Sequence, residues 1–415
     1  MALDAFEKAV SLNPNDGKAR DHWLLALYAA GETGAAFKEA RQVSAAFPTD
    51  LVPRAILALQ GDREMARFVE DARAFVGEHD FQMIETSLLF ADVGLVREAG
   101  RVLAAVCVDA VPEPQCSPLP LYYLAYYASL AGDSAAARNH LNRASRIVRD
   151  YVFPSRPEAV EVLRHAIREN PSGACAHLHL GNLYTHLGRV EEAAPQWQRA
   201  VDLDPSLSAA HRNLGLYARA QEDDLPKAER AYRRAIAARP KDQTLYRDLA
   251  EILLEQGRRP EAIALLESTP VDKLKRAEII ILLVQLYCEE RRYDDAIDLL
   301  ESTPYFVNWE GQTITWDLFH KAHMARGRIR FDDGDFAEAL QDFEAALTYP
   351  DNIGVGRSNK PQEATAQYWR GKALQSLGRL EQARAAWKLG AAGAPGSSEQ
   401  NASRELCDTA LNETE

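Results

Sequence analysis

The stretch ACAHLHLGNLYTHLGRVEEAAPQWQRAVDLDP, residues 174–205, decides how the chain is read. Leu180, Gly181 and Tyr184 stand at helical spacing, and Gly188 breaks that helix. Ala193, Trp197 and Ala200 then recur at i, i+4 and i+7 until Pro205 stops the second run. Two antiparallel helices pack tightly only where small residues such as Gly181, Ala193 and Ala200 sit at the crossing, with Tyr184 and Trp197 filling the space beside them. One such pair cannot bury both its faces, so it demands neighbours.

The neighbours are there. Leu214, Gly215, Ala228, Tyr232, Ala235 and Pro240 make the next unit, with one extra residue around Glu222-Asp223-Asp224. Leu249, Ala250, Gly257, Ala262 and Leu266 make another, and the string LLESTP at 265–270 returns at 299–304, an offset of 34. Gly327, Gly334, Ala339, Phe343 and Ala346 form the penultimate unit; Gly371, Leu374, Gly378, Ala383 and Trp387 form the last. The register leaves insertions near 311–319 and 354–363, both between a second helix and the next first helix. Toward the start, Ala125, Gly132, Ala137, Leu141 and Ala144 mark a clear unit. Gly94, Ala99 and Leu103 mark a weaker one, 51–76 a poor one broken at Gly61-Asp62, and Gly31, Ala36, Ala40 and Pro48 a further one. Ala2, Phe6, Ala9 and Pro14 fit only a second helix. Ala159, Leu163, Ala166 and Pro171 make a lone second-type helix, with Ser155 and Glu158 spaced as a capping box. That unpaired helix places a joint near residue 150.

Leu-Gly-x-x-Tyr, Ala, a large apolar residue, Ala and Pro at these offsets resemble the tetratricopeptide repeat, a 34-residue helix–turn–helix unit. The resemblance implies an all-α fold, an α-solenoid in which antiparallel helix pairs wind into a right-handed superhelix. Residues 1–150 read as a divergent segment starting mid-repeat, 151–393 as the regular solenoid, and 394–415 as a frayed tail or capping helix. Residues 118–393 further resemble the C-terminal repeat arm of proteins that also carry a galactose-mutarotase-like domain of unassigned function. The matching residues are Asp150-Tyr151-Val152-Phe153-Pro154 with Arg156, Leu180-Gly181-Asn182-Leu183-Tyr184 and Arg212-Asn213-Leu214-Gly215-Leu216. They continue with Phe306, Trp309-Glu310-Gly311, and Tyr349-Pro350-Asp351-Asn352 with Gly354, Gly356 and Arg357. The sequence departs at Gln312-Thr313, where the group continues Gly-Glu, and at Arg357, where Lys is usual. The resemblance also implies a further domain upstream, so the expectation is a chain cut from a longer one.

A net charge of −13 argues against nucleic acid and acidic membrane as partners, because phosphate binding needs clustered Lys and Arg. Cys107, Cys116, Cys175, Cys288 and Cys407 show no CxxC and read as reduced thiols of a cytoplasmic chain. Residues 1–20 lack the apolar core of a signal peptide. Glu278–Cys288 is too short to span a bilayer.

Stacking first helices turns repeat positions 2, 5, 9 and 12 into one inner wall. In three consecutive units that stripe reads Cys175, Leu178, Asn182, Thr185; Ala209, Arg212, Leu216, Arg219; and Thr244, Arg247, Glu251, Leu254, with His186 and Asn213 beside it. Arg212, Arg219 and Arg247 are candidates to fork onto a carboxylate, with solvated arginines partnered by Glu251 and Asp248 as the plainer reading. A two-carboxylate clamp needs bases where Thr244 and Asp248 stand, so it is excluded. His177, His211 and His323 fall at a packing position and read as core residues. Asp317, His320 and His323 lack a fourth ligand. Gly354-Val355-Gly356 follows no strand, Asp332-Asp333-Gly334-Asp335 is a turn, and neither a catalytic triad nor a cofactor motif is present. No metal or cofactor is expected.

The two insertions belong on one face of a solenoid. Trp309, Glu310, Asn352 and Arg357 thus form an edge-loop candidate, either a stacking site for sugar or peptide or a structural clasp. The leading expectation is a non-catalytic scaffold whose inner groove holds a peptide or protein segment with acidic character. The alternative is an accessory arm of a carbohydrate-active protein. The half repeat at the start, with Phe6 on its apolar face, is expected to favour weak self-association.

Overall fold

A computed structural model describes residues 2–76, 80–111, 116–147, 152–270, 276–308 and 311–414, and among them the regular structure is entirely helical. The chain divides into two compact units, Met1–Ala238 and Arg239–Glu415.

The first unit holds α1 (Ala2–Leu12), α2 (Gly17–Ala29), α3 (Thr33–Ala46), α4 (Leu51–Ala58), α5 (Asp62–Val76), α6 (Phe81–Asp92) and α7 (Val96–Ala104), which runs on into a π-helical turn at Ala105–Asp109. It continues with α8 (Pro118–Leu130), α9 (Ser134–Ala144), α10 (Ala159–Glu169), α11 (Ala174–His186), α12 (Val190–Leu203), α13 (Ser208–Ala220) and α14 (Leu225–Ala238). The pairs α2/α3, α4/α5, α6/α7, α8/α9, α11/α12 and α13/α14 each pack helix against helix. Phe6 of α1 stacks on His22 of α2 at 5.4 Å.

The lone helix α10 is not unsupported. It packs on α8 on one side and α11 on the other, and Ala159, Val162, Leu163 and Ala166 join a single core that runs from Leu24 to Ala210. The capping box expected at its start is not formed. Glu158 itself takes the cap position in helical conformation, with no side-chain cap bond. Of the motif at 150–154, Asp150 and Tyr151 lie outside the described residues.

The second unit holds α15 (Gln243–Glu255), α16 (Arg259–Glu267), α17 (Ala277–Glu289), α18 (Tyr293–Ser302), α19 (Ile314–Asp333), α20 (Phe336–Ala345), α21 (Ala364–Ser376), α22 (Leu380–Ala391) and α23 (Ser398–Asn412). The first insertion is helical from Ile314, lengthening α19 to 20 residues. Within the C-terminal stretch, α23 packs on α21 and α22. Gln400 of α23 accepts from the Ala364 N–H at 2.9 Å, Ser403 bonds Thr365 at 2.9 Å, and Cys407 is fully buried.

Close approach within the pairs follows one rule. A Cβ on Gly181 would meet the Trp197 ring at 2.5 Å, one on Gly327 the Phe343 ring at 2.7 Å, and one on Gly371 the Trp387 ring at 2.2 Å. Gly215 stands the same way to Tyr232, at 2.9 Å. Where the first helix carries Ala125, Ala250 or Val284 instead, the residue 16 further on is Leu141, Leu266 or Leu300, all buried. Apart from the α4/α5 turn, the turns between paired helices use a left-handed residue, as at Gly188 (φ 74°). At the position 34 after Gly257 this residue is Arg291 (φ 58°).

Gly371→Ala should therefore destabilise the chain by about 1–3 kcal/mol through overpacking. Combining it with Trp387→Leu should cost less than the two single changes added, as a denaturant double-mutant cycle would read; strict additivity would refute the complementarity. A second expectation concerns pH. His179 lies edge-on to Tyr122 (5.9 Å) and His165 edge-on to Tyr126 (5.4 Å), both in the core. Burial lowers the pKa of each, that of His179 to about 4. The unfolded chain, with histidine near its ordinary value of about 6.5, then takes up the proton first as pH falls. The stability contributed by the neutral rings is full above that value and is lost toward pH 4. Between about pH 7.5 and 5.5 the wild type should lose about 1 kcal/mol more than His179→Phe. Equal losses would exclude this role for His179.

Candidate functional site

In the first unit, Gly181 packs on Trp197 where α11 crosses α12, and Gly215 on Tyr232 where α13 crosses α14. Trp197 Nε1 and Asn213 Nδ2 both donate to Asn182 Oδ1, at 3.0 and 2.8 Å. One side-chain oxygen thus joins both helices of one repeat to the first helix of the next. Arg212 and Arg219 are half-buried on the α13 stripe with interactions of their own, Leu216 between them is 38% exposed, and His186 is exposed at the end of α11. Cys175 and Leu178 do not line an open wall as the spacing suggested. Both lie in the core, because α10 packs on α11 and Tyr122 of α8 reaches its His179.

Arg247 and Glu251 stand on α15, in the second unit. Arg247 donates to buried Asp248 at 2.7 Å and lies 3.7 Å from Glu251. The bond to Asp248 is the main cause of its raised pKa. The charge of this arginine is matched within its own helix.

Asp342, buried on α20, accepts from His323 Nδ1 (3.1 Å), Arg326 Nη2 (2.7 Å) and Arg330 Nη1 (2.9 Å). Burial acts to raise its pKa, but the bonds from His323 and Arg326 outweigh it and leave the carboxyl below its ordinary value. Arg326 also reaches Asp294 of α18 at 2.7 Å, so the cluster ties three helices together. His177 and His211 are likewise core residues, bonded to Gln196 (2.8 Å) and the Pro205 carbonyl (3.0 Å). Among the described residues no group of three His, Cys, Asp or Glu is placed to hold a metal ion, and no helix is long and apolar enough to cross a membrane.

The segments that precede the two insertions lie side by side. Trp309 and Glu310 lie outside the described residues, but their neighbours make the contact. The Phe306 N–H donates to the Asn352 carbonyl at 2.8 Å, and Asn308 Nδ2 donates to the Ile353 carbonyl at 2.9 Å. Asn352 Nδ2 donates to the carbonyls of Leu300 (3.0 Å) and Thr303 (2.9 Å), so this amide is occupied by the chain itself. Gly354 (φ 71°) leaves no room for a side chain, since a Cβ there would lie 2.5 Å from the Phe306 oxygen. Arg357 pairs with Glu363 at 2.6 Å, and Tyr349 donates to the same carboxylate at 3.2 Å. Tyr349 in turn stacks on Trp316 with centroids 4.7 Å apart. Burial and the nearby Glu363 push the Tyr349 hydroxyl up to about 12. Trp316, Tyr349 and Glu363 are partners that spacing did not single out. Trp316 lies in the added turns of α19, where the repeat register gives no guide.

Profiles described as Tetratricopeptide repeat match residues 155–208, 219–279 and 324–398. No curated protein matches the chain. Among solved structures, YrrB, a TPR protein with an unusual peptide-binding site, is 17% identical, over 61% of this chain and 99% of its own, with a TM-score of 0.26. Pseudomonas aeruginosa pilF is 15% identical over 54% and 89%, with a TM-score of 0.31. A thermophilic TPR protein of Thermus thermophilus is 18% identical over 50% and 99%, with a TM-score of 0.29. The described residues thus form an all-α fold of close-packed helix pairs, and residues 155–208, 219–279 and 324–398 carry tetratricopeptide repeats.

Proposed function

We propose that this chain is a non-catalytic interaction scaffold that holds an acidic peptide or protein segment on the inner face of α11 and α13. The observation that carries the reading is the Asn213–Asn182 bond of 2.8 Å, which sets two successive first helices side by side. Arg212 and Arg219 flank the exposed Leu216 on that face. Two guanidinium groups around an apolar spot suit a segment that alternates carboxylates with an aliphatic residue. Buried thiols at Cys107, Cys116, Cys175, Cys288 and Cys407 suit a reducing, cytoplasmic setting.

Labelled peptides test this in fluorescence anisotropy, using a glutamate- and leucine-containing peptide and its glutamine counterpart. The wild type should prefer the acidic peptide, more so at low salt. Arg212→Glu with Arg219→Glu should weaken binding at least tenfold, roughly the loss of two charge-assisted contacts. Arg247→Glu should weaken it far less, because Asp248 already holds that charge. Unchanged binding by the Arg212/Arg219 double variant, with its helicity retained, would overturn the reading.

A further inference from the structure

The second helices of the pairs differ sharply in charge. α14 carries Lys227, Arg230, Arg233 and Arg234 against a single acid, Glu229. α18 carries Asp294, Asp295, Asp298 and Glu301 and no base. Lys227, Arg230 and Arg234 follow i, i+3, i+7 and share one face of α14. Asp294, Asp298 and Glu301 follow i, i+4, i+7 and share one face of α18. All six side chains are exposed. Arg230, Arg234 and Asp298 form no ion pair with another described residue. Like charges at i, i+4, as in Arg230/Arg234 and Asp294/Asp298, destabilise a helix, and here nothing on the same helix face relieves them.

Taken in opposite directions, the two rows have the same spacing. Positions 227, 230 and 234 step by three and then four, as do 301, 298 and 294. Antiparallel helices therefore bring Lys227 to Glu301, Arg230 to Asp298 and Arg234 to Asp294, along about 10 Å of helix axis. We propose that α14 of one copy of this chain docks antiparallel on α18 of a second copy. The contact joins two different surfaces, so each docked pair keeps one α14 and one α18 free and association propagates from copy to copy. Asp294 already pairs with Arg326 (2.7 Å) and Lys227 with Glu222 (2.6 Å), which leaves Arg230–Asp298 as the pair with most to gain. Exposed ion pairs are individually weak and screened by salt, so the assembly belongs to high protein concentration and low ionic strength.

Sedimentation velocity of the full chain at about 20 mM and about 0.3 M salt tests the proposal. Wild type should associate at low salt and disperse at high salt. Arg230→Gln with Arg234→Gln in one protein, and Asp298→Asn with Glu301→Gln in another, should each sediment as monomers with unchanged circular dichroism. Mixed in equal amounts, the two variants keep one good α14 and one good α18 between them, so they should form a one-to-one dimer and stop there. A wild type that stays monomeric at low salt would overturn the proposal, and so would monomeric wild type that instead binds a glutamate-rich peptide through Arg230. Association that survives either variant, or that strengthens with salt as contact through the apolar half repeat at Phe6 would, overturns it as well.

Discussion

Two helices of a pair can approach only as near as the residues at their crossing allow, and in this chain one glycine and one aromatic ring set that distance. Gly181, Gly215, Gly327 and Gly371 leave a hollow into which Trp197, Tyr232, Phe343 and Trp387 fit. Where the hollow is partly filled by Ala125, Ala250 or Val284, a leucine replaces the ring. The summed volume is what the packing holds constant, in keeping with interiors as dense as organic crystals. The Trp197 ring that fills the hollow of Gly181 also holds Asn182 through its N–H.

This constraint is why so much of the fold was legible. Gly at one offset and a ring 16 or 17 residues on mark the pairs α11/α12, α13/α14, α19/α20 and α21/α22, with a glycine turn in each except α13/α14, where Asp223 (φ 52°) takes its place. What stayed hidden lies where the period is interrupted. The repeat register cannot say that α10 packs between α8 and α11, because it assigns a second helix no place without its first. Nor can it say that residues 314–319 extend α19 instead of forming a loop. Helix α23 was hard to see because its buried face is made of Gln400, Ser403 and Cys407, polar or small residues that carry little periodic signal.

The candidate residues were legible as positions but not as bonds. Spacing placed Asn182, Asn213, Arg212 and Arg219 on or beside one stripe, yet it could not show that Asn182 is held by Trp197 and Asn213 at once. For Arg247 the plainer expectation, a partnership with Asp248 and Glu251, matches the contacts it makes. Arg357 pairs with Glu363, six residues along the chain, while Glu310, its expected partner, lies outside the described residues. Charge pairs between irregular segments depend on loop paths that no helical period encodes.

The bonds between Asn352 and the residues at the end of α18 also bear on how the second unit comes apart. In an ideal repeat array each module touches only its neighbours, so modules can open one at a time from an end. Here contacts 45 to 52 residues apart in sequence close a loop around α19 and α20. Opening either helix must release the Asp342 cluster, which reaches back to α18 through Arg326. These ties cross-link the segment from α18 to the 351–353 turn, so it is expected to open as one block where a simple repeat array would open pair by pair.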